Sequence, residues 1–549
     1  MFSNRSFGGI VFWGKAFVPK PEPAAIADAL SPCEHTSPTH PITAGIVLGA
    51  GEKPHYHDGY PDFEEWPTYS SMMHQQMYVD WLFRAYQYGL RLVVITATNS
   101  EVICNAAEHP LPCNDEAVVE DQIKQIQEMA DWVTNNEFGG DSSRPRPWLE
   151  IVKSSSDAER VVQNNRLAVV IGVEVDNLFD CGPGKWGREC DQAHADDMLK
   201  KYYELGVRQI TPIHLAESAF GGNALYDDRF LANSYYLRSS YQVPRRCPEE
   251  GVFWRPIGAA GVPLFARVLE YWNGLGWYSP PYEDPAVSPG ACNPNGLSEL
   301  GQHLITGMMK KGMLVDMEHM SQRSTDDTLS IAAGARYPVM VSHAWFRDLK
   351  LERMIPDYSD PENPSKHWTD QRSEMHTSRE TLEKIKALGG VVGVLTNQGP
   401  VEGHEPQVEN DCDTSSKSFA TAYLYALKIM GDTAGVGLGT DVNGLAGQPG
   451  PRFGGEACGK GRNFPQQKNR VSYDGKTTVD GRPLTRYHLG NRSFDFNEDG
   501  LAHYGLLPDM IADLEQVGVP STAVDTLFNS AAGYVTMWKL AESRSGSLQ

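Results

Sequence analysis

Short apolar runs alternate with amphipathic stretches along most of the chain. From residue 74 onward, runs rich in Val, Ile and Leu are followed by longer segments in which apolar residues recur every three or four positions. The runs are typical of strands buried on both faces, and the longer segments are typical of helices that cover them. The alternation predicts an α/β protein built from parallel strands with helices between them.

Seven of the apolar runs are predicted to be strands. Seven strand–helix repeats indicate a TIM (β/α)8 barrel in which the first strand is missing or replaced. The alternative is an open doubly wound sheet, but such a sheet binds ligands at one switch point, whereas polar side chains here end many consecutive runs. The runs are residues 92–97, 167–175, 207–213, 313–317, 337–341, 389–395 and 436–439.

The same pattern divides the chain into three parts. Residues 1–70 are rich in Gly, Pro and His and are predicted to be an irregular N-terminal segment. Residues 71–445 form the predicted barrel, with long loop insertions near 220–295 and 346–376. Residues 446–549 begin as a Gly/Pro/Asn-rich excursion and end in helices near 505–517 and 521–541, which we expect to pack on the barrel.

Two histidines follow consecutive predicted strands in one compact strand–helix–strand unit. His319 and His343 should therefore lie side by side at the carboxyl ends of parallel neighbours, where barrel enzymes carry out their chemistry. Neutral imidazole is a common metal ligand, so the pair indicates a metal site. The alternative is that each is an ordinary surface or core histidine. The predicted strand-end residues are Asn99, Glu174, His214, His319, His343, Asn397 and Asp441.

A glutamate, two histidines and an aspartate at strand ends fit a hydrolytic zinc site. Zinc favours imidazole nitrogen and carboxylate oxygen, so Glu174, His319 and His343 are the predicted ligands. Metal coordination can lower the pKa of water to about 7, which supplies metal-bound hydroxide. We expect Asp441 to move the proton and His214 to donate to the developing oxyanion. The alternative for Asp441 is a turn or helix cap.

Charge and length narrow the range of partners. The chain has 549 residues and a formal net charge of −22, which argues against nucleic acid or an anionic membrane as the main partner. No apolar run approaches the roughly 20 residues of a membrane-spanning helix. The expected partner is a small-molecule substrate, and a homodimer is compatible with the sequence.

The chain has nine cysteines, and their spacing indicates the cellular compartment of the protein. Cys104 and Cys113, and likewise Cys181 and Cys190, bracket short loops after apolar runs, without the spacing of a zinc ribbon. They predict two local disulfides and an exported protein, extracellular or periplasmic. The alternative is four free thiols in a cytosolic protein. The other five cysteines leave one unpaired.

Several motifs together resemble the membrane (renal) dipeptidase family of the amidohydrolase superfamily. They span most of residues 70–445, and their order and spacing make the resemblance more specific than any single motif does. The resemblance implies a TIM barrel with a two-zinc site that cleaves dipeptides. The motifs are GVEVDNL, YYELGVRQITPIH, GLSELGQHLITGMMKKGMLVDMEHMS, VMVSHAWFRDL, GGVVGVL and GVGLGTDVNG.

The resemblance also implies a role for each matching residue. Glu174 would bridge two metals, and His319 with His343 would complete the second of them. His214 would face the tetrahedral intermediate and Asp441 would be the catalytic acid/base. An arginine should hold the carboxylate of the substrate: Arg372 is the first choice and Arg347 and Arg379 are alternatives. Asn443 is also assigned to substrate binding.

The chain departs from the family pattern at its beginning. The first strand of the family ends in His-x-Asp or His-x-His, but no apolar run of this sequence does, so ligands for a first zinc ion are not evident and one or two ions are expected. His55-Tyr56-His57 follows Pro54 rather than an apolar run. The opening MFSNRSFGG resembles the segment that comes after that strand in the family, and we expect the sequence to begin just past the strand. The alternatives are an enzyme acting on another amide or ester, and a non-catalytic binding protein on a decayed barrel.

Overall fold

The structure is a computed structural model. For residues 352–356 and 366–370, an antiparallel strand pair, only the backbone is described. The other described residues are 63–64, 67–70, 79–101, 112–135, 147–182, 189–227, 234, 237–238, 242–254, 290–349, 372–401, 408–431, 435–442, 447–459 and 466–548.

Seven parallel strands form the centre of the molecule, at the seven apolar runs predicted from the sequence. Their side chains are largely buried, as expected for strands covered on both faces. They are β1 Leu92–Asn99, β2 Leu167–Val175, β3 Val207–Thr211, β4 Leu314–Val315, β5 Met340–Ala344, β6 Val391–Leu395 and β7 Gly435–Gly439.

The strands pair in chain order. β1 pairs along its whole length with β2, from Leu92 opposite Ala168 to Asn99 opposite Val175. β2 pairs with β3 and β3 with β4, and a parallel bridge from Asp316 to Met340 joins β4 to β5. β6 pairs with β5 on one side and with β7 on the other. A strand order that follows the chain order is the order of a (β/α) barrel.

Side chains from around the circle of strands line one interior cavity of about 290 Å³. They include Ile95 of β1, Thr211 of β3, Ser342 of β5 and Gly437 of β7. An open, flat sheet does not bring its first and last strands to one cavity. The predicted α/β barrel class is therefore confirmed. Among the described residues no strand lies between β1 and β7.

Helices surround the strands, and several begin at a serine or aspartate whose side chain accepts a backbone N–H, as Ser298, Ser321 and Asp191 do. The helices are α1 Val79–Gln87, α2 Asp115–Asn135, α3 Ser155–Gln163, α4 Gln192–Leu205, α5 Glu299–Lys310, α6 Gln322–Ala335, α7 Arg379–Ala387, α8 Ser416–Met430, α9 Phe496–Asp499, α10 Leu507–Gln516, α11 Ser521–Phe528 and α12 Ser530–Ser545.

The C-terminal helices cover the end of the barrel opposite to the strand carboxyl ends. Tyr534 of α12 is buried and donates to Gln209 of β3, and Trp538 is fully buried in the core. Glu542 of α12 accepts the backbone N–H of Ser155 at the start of α3. These contacts fix the base of the barrel and leave its other end for the strand-end residues.

The structure differs from the predicted elements in several places. β5 covers residues 340–344 instead of 337–341, so His343 lies within the strand and not after it. A short strand, Leu149–Ile151, and helix α3 were not predicted. The predicted helix 521–541 is two helices that meet at Asn529. The predicted domain boundaries stay predictions, and His55-Tyr56-His57 lies outside the described residues.

Disulfides join distant parts of the chain as well as near ones. The predicted pair Cys181–Cys190 is confirmed, and Cys113 is also bonded, although Cys104 lies outside the described residues. Two further pairs, Cys247–Cys292 and Cys412–Cys458, were not predicted. Three defined disulfides indicate an oxidising compartment. Within the described residues, no helix is both long enough and apolar enough to cross a membrane.

Candidate metal centre

Three predicted ligands converge at the carboxyl ends of the strands. Glu174 Oε1 lies 3.2 Å from His319 Nε2 and 3.8 Å from His343 Nε2, and the two Nε2 atoms are 3.0 Å apart. One ligand atom from each residue falls within 4.8 Å of the others, and all three side chains are buried. Two other groupings of this kind contain disulfide-bonded cysteines, which cannot act as thiolate ligands.

Each ligand reaches the site in a different way. Glu174 is the penultimate residue of β2 and points into the barrel cavity. His343 lies inside β5. His319 follows β4 by four residues, and its left-handed backbone, with φ of 65°, turns the chain at that point. Its carbonyl accepts the backbone N–H of Ala224 from the first insertion. The loop after β4 is thus held to the first insertion at His319.

Polar neighbours orient His343 and the strand that carries it. The Nδ1 of His343 lies 2.8 Å from Ser342 Oγ, which leaves Nε2 to face Glu174 and His319. Asp316 accepts the backbone N–H groups of Ser342 and Glu318, and Glu318 accepts the N–H of His343. Burial raises the pKa of Asp316 to about 6. These carboxylates fix β4 against β5 beneath the site.

The protonation states suit a metal ion. Burial lowers the pKa of His343 to about 3 and also lowers the pKa of His319, so both rings are neutral near pH 7. Burial alone would raise the pKa of Glu174, but the surrounding imidazoles outweigh it and hold that pKa well below its ordinary value. Glu174 Oε1 is buried and receives no hydrogen bond among the described residues. Neutral imidazoles and an ionised carboxylate are the states in which these side chains bind metal.

His214 stands beside the three ligands. Its ring packs edge-to-face against that of His319, with centroids 4.6 Å apart, and its Nδ1 donates to Asp176 Oδ1 at 2.8 Å. Burial alone would lower the pKa of His214, but the charges of Asp176, Glu174 and Asp441 raise it to about 9. His214 is therefore a cation near neutral pH, facing the same side of the barrel as the ligands.

Asp441 follows β7 and lines the same cavity as Glu174 and His343. Its backbone is left-handed, with φ of 43°. The carbonyl of Thr440 before it accepts the side-chain amide of Gln448, at 3.0 Å, which anchors the turn. Asn443, the predicted substrate ligand, lies outside the described residues.

The three arginines proposed for substrate binding differ in their surroundings. Arg347 is buried, and its guanidinium donates to Glu250 O, Gln322 Oε1 and Glu374 O. Arg379 is exposed and pairs with Glu383 at 3.0 Å. Arg372 is half-buried. Its guanidinium lies 4.3 Å from the ring centroid of Phe253, a residue of the first insertion. Arg372 remains the predicted first choice, because both terminal nitrogens of Arg347 donate to the fold.

Other strand-end residues serve the fold. Asn99 donates to Asp115 and to the carbonyl of Cys113, and Asn397 accepts the indole N–H of Trp345 through its carbonyl. Conversely, Asp176 and Glu318 were not singled out from the sequence. Asp176 is two residues from the predicted ligand Glu174, and Glu318 directly precedes the predicted ligand His319. This nearness along the chain is the one sequence signal that points to them.

Comparison with known proteins supports the resemblance seen in the motifs. Residues 274–359, which contain His319 and His343, match the model of the membrane dipeptidase family, peptidase family M19. An uncharacterized dipeptidase of Schizosaccharomyces pombe is 28% identical over 162 residues, which are 29% of this chain and 31% of that protein. The chain thus spans about a third of the length of this curated relative. The predicted resemblance to the membrane dipeptidase family is confirmed.

Solved structures with lower similarity were also found. One is a metallopeptidase from Rhodobacter sphaeroides bound to a phosphinate mimic of L-Ala-D-Ala, with 11% identity, a TM-score of 0.44 and coverage of 85% of this chain and 90% of that one. Another is the probable dipeptidase PvdM from Pseudomonas aeruginosa, with 14% identity, a TM-score of 0.44 and coverage of 91% and 92%.

Proposed function

We propose that this protein is a zinc-dependent hydrolase of the membrane dipeptidase type, which cleaves a dipeptide or a related amide. One observation carries the proposal: Glu174, His319 and His343 bring three buried ligand atoms within 4.8 Å of one another at the carboxyl ends of β2, β4 and β5. A carboxylate with two imidazoles is a ligand set that zinc favours. The family match over residues 274–359 supports the same interpretation.

Glu174, His319 and His343 would hold the metal. A zinc ion bound there would polarise the scissile carbonyl and lower the pKa of water. The three side chains bring the protonation states that zinc needs, because burial keeps both imidazoles neutral.

The other residues bind the substrate and move protons. Asp441 takes the proton of the attacking water and returns it to the leaving amine. His214 donates from Nε2 to the oxyanion that develops on the scissile carbonyl, and its positive charge strengthens that hydrogen bond. Arg372 and Asn443 are the residues proposed to bind the carboxylate end of the substrate. Each role is a proposal that mutation can test.

Zinc content and dipeptide hydrolysis test the proposal together. We expect zinc in the purified protein by elemental analysis and release of free amino acids from dipeptides. His319→Ala should lose both. The matched control is His303→Ala, which removes a half-exposed histidine that pairs with Asp196 away from the site; it should keep both. Zinc near zero in the parent protein would contradict the proposal.

The substrate class is tested separately. A panel of dipeptides, N-acyl amino acids and simple esters should favour dipeptides, whereas preference for another amide or an ester would make this an amidohydrolase of different specificity. A second candidate is a non-catalytic binding protein, and its support is that the described residues supply ligands for a single ion. Bound zinc without turnover of any substrate in the panel would favour it. The oxidising compartment indicated by the disulfides is proposed to be extracellular or periplasmic.

A further inference from the structure

Asp176 lies directly behind His214. It follows β2 and is two residues beyond Glu174, and its side chain is fully buried. Its Oδ1 accepts from His214 Nδ1 at 2.8 Å and from the backbone N–H of Leu215 at 3.1 Å. One carboxylate oxygen therefore holds both the ring of His214 and the peptide that comes after it.

Asp176 is itself held in place. The guanidinium of Arg238, from the first insertion, donates to the Asp176 carbonyl at 3.3 Å, to Asn177 Oδ1 at 2.6 Å and to the carbonyl of Glu217. The backbone N–H of Asn177 donates to the buried Asp115 at 2.7 Å. Arg238 thus ties the loop after β2 to the loop after β3, and the position of Asp176 relative to His214 is fixed by several groups.

This arrangement determines which ring nitrogen of His214 faces the site. A carboxylate can only accept, so the hydrogen bond places a proton on Nδ1 and prevents the ring from turning over. Nε2, on the other side of the ring, is then directed away from Asp176. The edge-to-face contact with His319 places the ring of His214 next to the predicted metal ligands, and the hydrogen bond to Asp176 leaves Nε2 as the ring nitrogen that is free to face a substrate.

We propose that Asp176 is a positioning residue that sets the orientation of His214 for catalysis. The inference rests on the proposed function, in which His214 Nε2 donates to the oxyanion. Asp176 touches no reacting atom and acts through His214. Loss of such an orienting partner typically costs 10–100-fold in activity.

The kinetic test uses Asp176→Ala, Asp176→Asn, His214→Ala and the double variant Asp176→Ala/His214→Ala. Asp176→Ala should lower kcat on a dipeptide by about 10–100-fold with little change in KM, since the interaction with the oxyanion exists only in the transition state. Asn keeps an acceptor oxygen for Nδ1–H but lacks the negative charge of Asp176, so the kcat of Asp176→Asn should lie below that of the parent. The double variant should be no slower than His214→Ala, because residues that act through one another are not additive.

The matched control is Asp180→Asn, in the same loop. The Asp180 carboxylate accepts from the side chain of Asn114 and from the N–H of Glu116 at the start of α2, so kcat should stay near that of the parent. Losses that add in the double variant would overturn the proposal.

A second measurement does not depend on activity. In protein labelled with ¹⁵N-histidine, the ring spectrum of His214, assigned with His214→Ala, should show protonated Nδ1 in the parent and a changed pattern in Asp176→Ala. If the parent hydrolyses no dipeptide, the proposed function fails while the spectra still test the orientation. An unchanged ring spectrum in Asp176→Ala overturns the proposal. If Asp176→Ala does not fold, absence of protonated Nδ1 in the parent overturns it.

Discussion

His319 and Asp441 have left-handed backbones that non-glycine residues seldom adopt, with φ of 65° and 43°. Such conformations cost of order 1–3 kcal/mol and persist where surrounding contacts impose them, often at functional sites. Gly439 shows how closely the backbone is packed there, because a Cβ on it would overlap Ser342 O and the Cα of His343. The backbone conformation thus helps to set the positions of two proposed functional residues.

The proton-transfer role of Asp441 predicts the behaviour of Asp441→Asn. If Asp441 serves only as a turn or cap residue, Asn replaces it almost without loss, and stability and activity barely change. If it moves the proton, Asn cannot accept it, and the rate of dipeptide hydrolysis should fall by roughly 10²–10⁴. We expect a folded, inactive variant whose zinc content by elemental analysis stays near that of the parent. His319→Ala, by contrast, should lose its zinc. Activity within a few-fold of the parent would rule out the proton-transfer role.

Residues whose position follows from their place on a strand could be predicted, and residues whose contacts depend on a distant partner could not. Glu174, His319 and His343 end apolar runs, and parallel pairing alone brings such ends together. Asp176 matters because it contacts His214, and Asp316 because it binds the backbone of Ser342. Those contacts depend on how neighbouring strands are aligned, which no local pattern of residues specifies.

At the scale of elements, one buried carboxylate joins the first insertion to the barrel. Glu374 accepts the backbone N–H groups of Leu225 and Asn293 from the insertion and of Gln322 at the start of α6. Arg347 reinforces the junction through the carbonyl of Glu374. Since α6 directly follows the loop that carries His319, the insertion also supports one side of the candidate metal centre.

Glu374 predicts a pH dependence of stability. Burial raises its pKa from 4.5 to about 7, so the folded protein keeps a proton there that the unfolded chain has released. The stabilisation is fully present below pH 4.5 and is lost as the pH rises through 7. Glu374→Gln does not titrate and keeps one acceptor oxygen. Relative to this variant, the free energy of unfolding of the parent should fall by up to about 3 kcal/mol between pH 4.5 and 8.

Denaturant unfolding at several pH values measures this difference. Glu383→Gln, which changes an exposed glutamate on α7 that pairs with Arg379, is the control, and its stability should follow that of the parent at every pH. If the free energy of unfolding changes equally with pH in the parent and in Glu374→Gln, Glu374 does not keep the proton. Such a result would also mean that the groups around Glu374 compensate its burial.

The elements that could be predicted are the long or strongly patterned ones. The run LAVVIGVEV, apolar except for Glu174, forms β2 with the predicted bounds, 167–175. Leu149–Ile151 is three residues long and is a strand only because β2 pairs with it. In the excursion that begins at residue 446, two hairpins also have strands of only two or three residues: Thr478–Val479 with Arg482–Pro483, and Tyr487–Leu489 with Arg492–Phe494. Short strands have too few residues to show a period, so tertiary pairing decides them.

At the scale of the whole molecule, the barrel could be predicted from its repeats, but the covalent links across it could not. Seven strands in chain order follow from the alternation of runs and helices. Cys247–Cys292 and Cys412–Cys458 join residues 45 and 46 positions apart. Cysteine spacing does not define such pairs, because several connectivities are open to the same residues. The short pair Cys181–Cys190 could be predicted because both cysteines bracket one loop.

Loop length predicts an order of stabilisation among these disulfides. Closing a loop removes entropy from the unfolded chain and so stabilises the folded protein. The expected stabilisation is about 2–3 kcal/mol for the 9-residue separation of Cys181–Cys190 and about 4 kcal/mol for the 45-residue separation of Cys247–Cys292. Replacing both cysteines of a pair by serine should therefore lower the denaturant midpoint more for Cys247–Cys292. The Cys181–Cys190 variant is the matched control, and peptide mapping without reduction should first recover each pair intact. An equal or larger loss from the short loop would mean that contacts around the bridge, and not loop closure, determine its contribution.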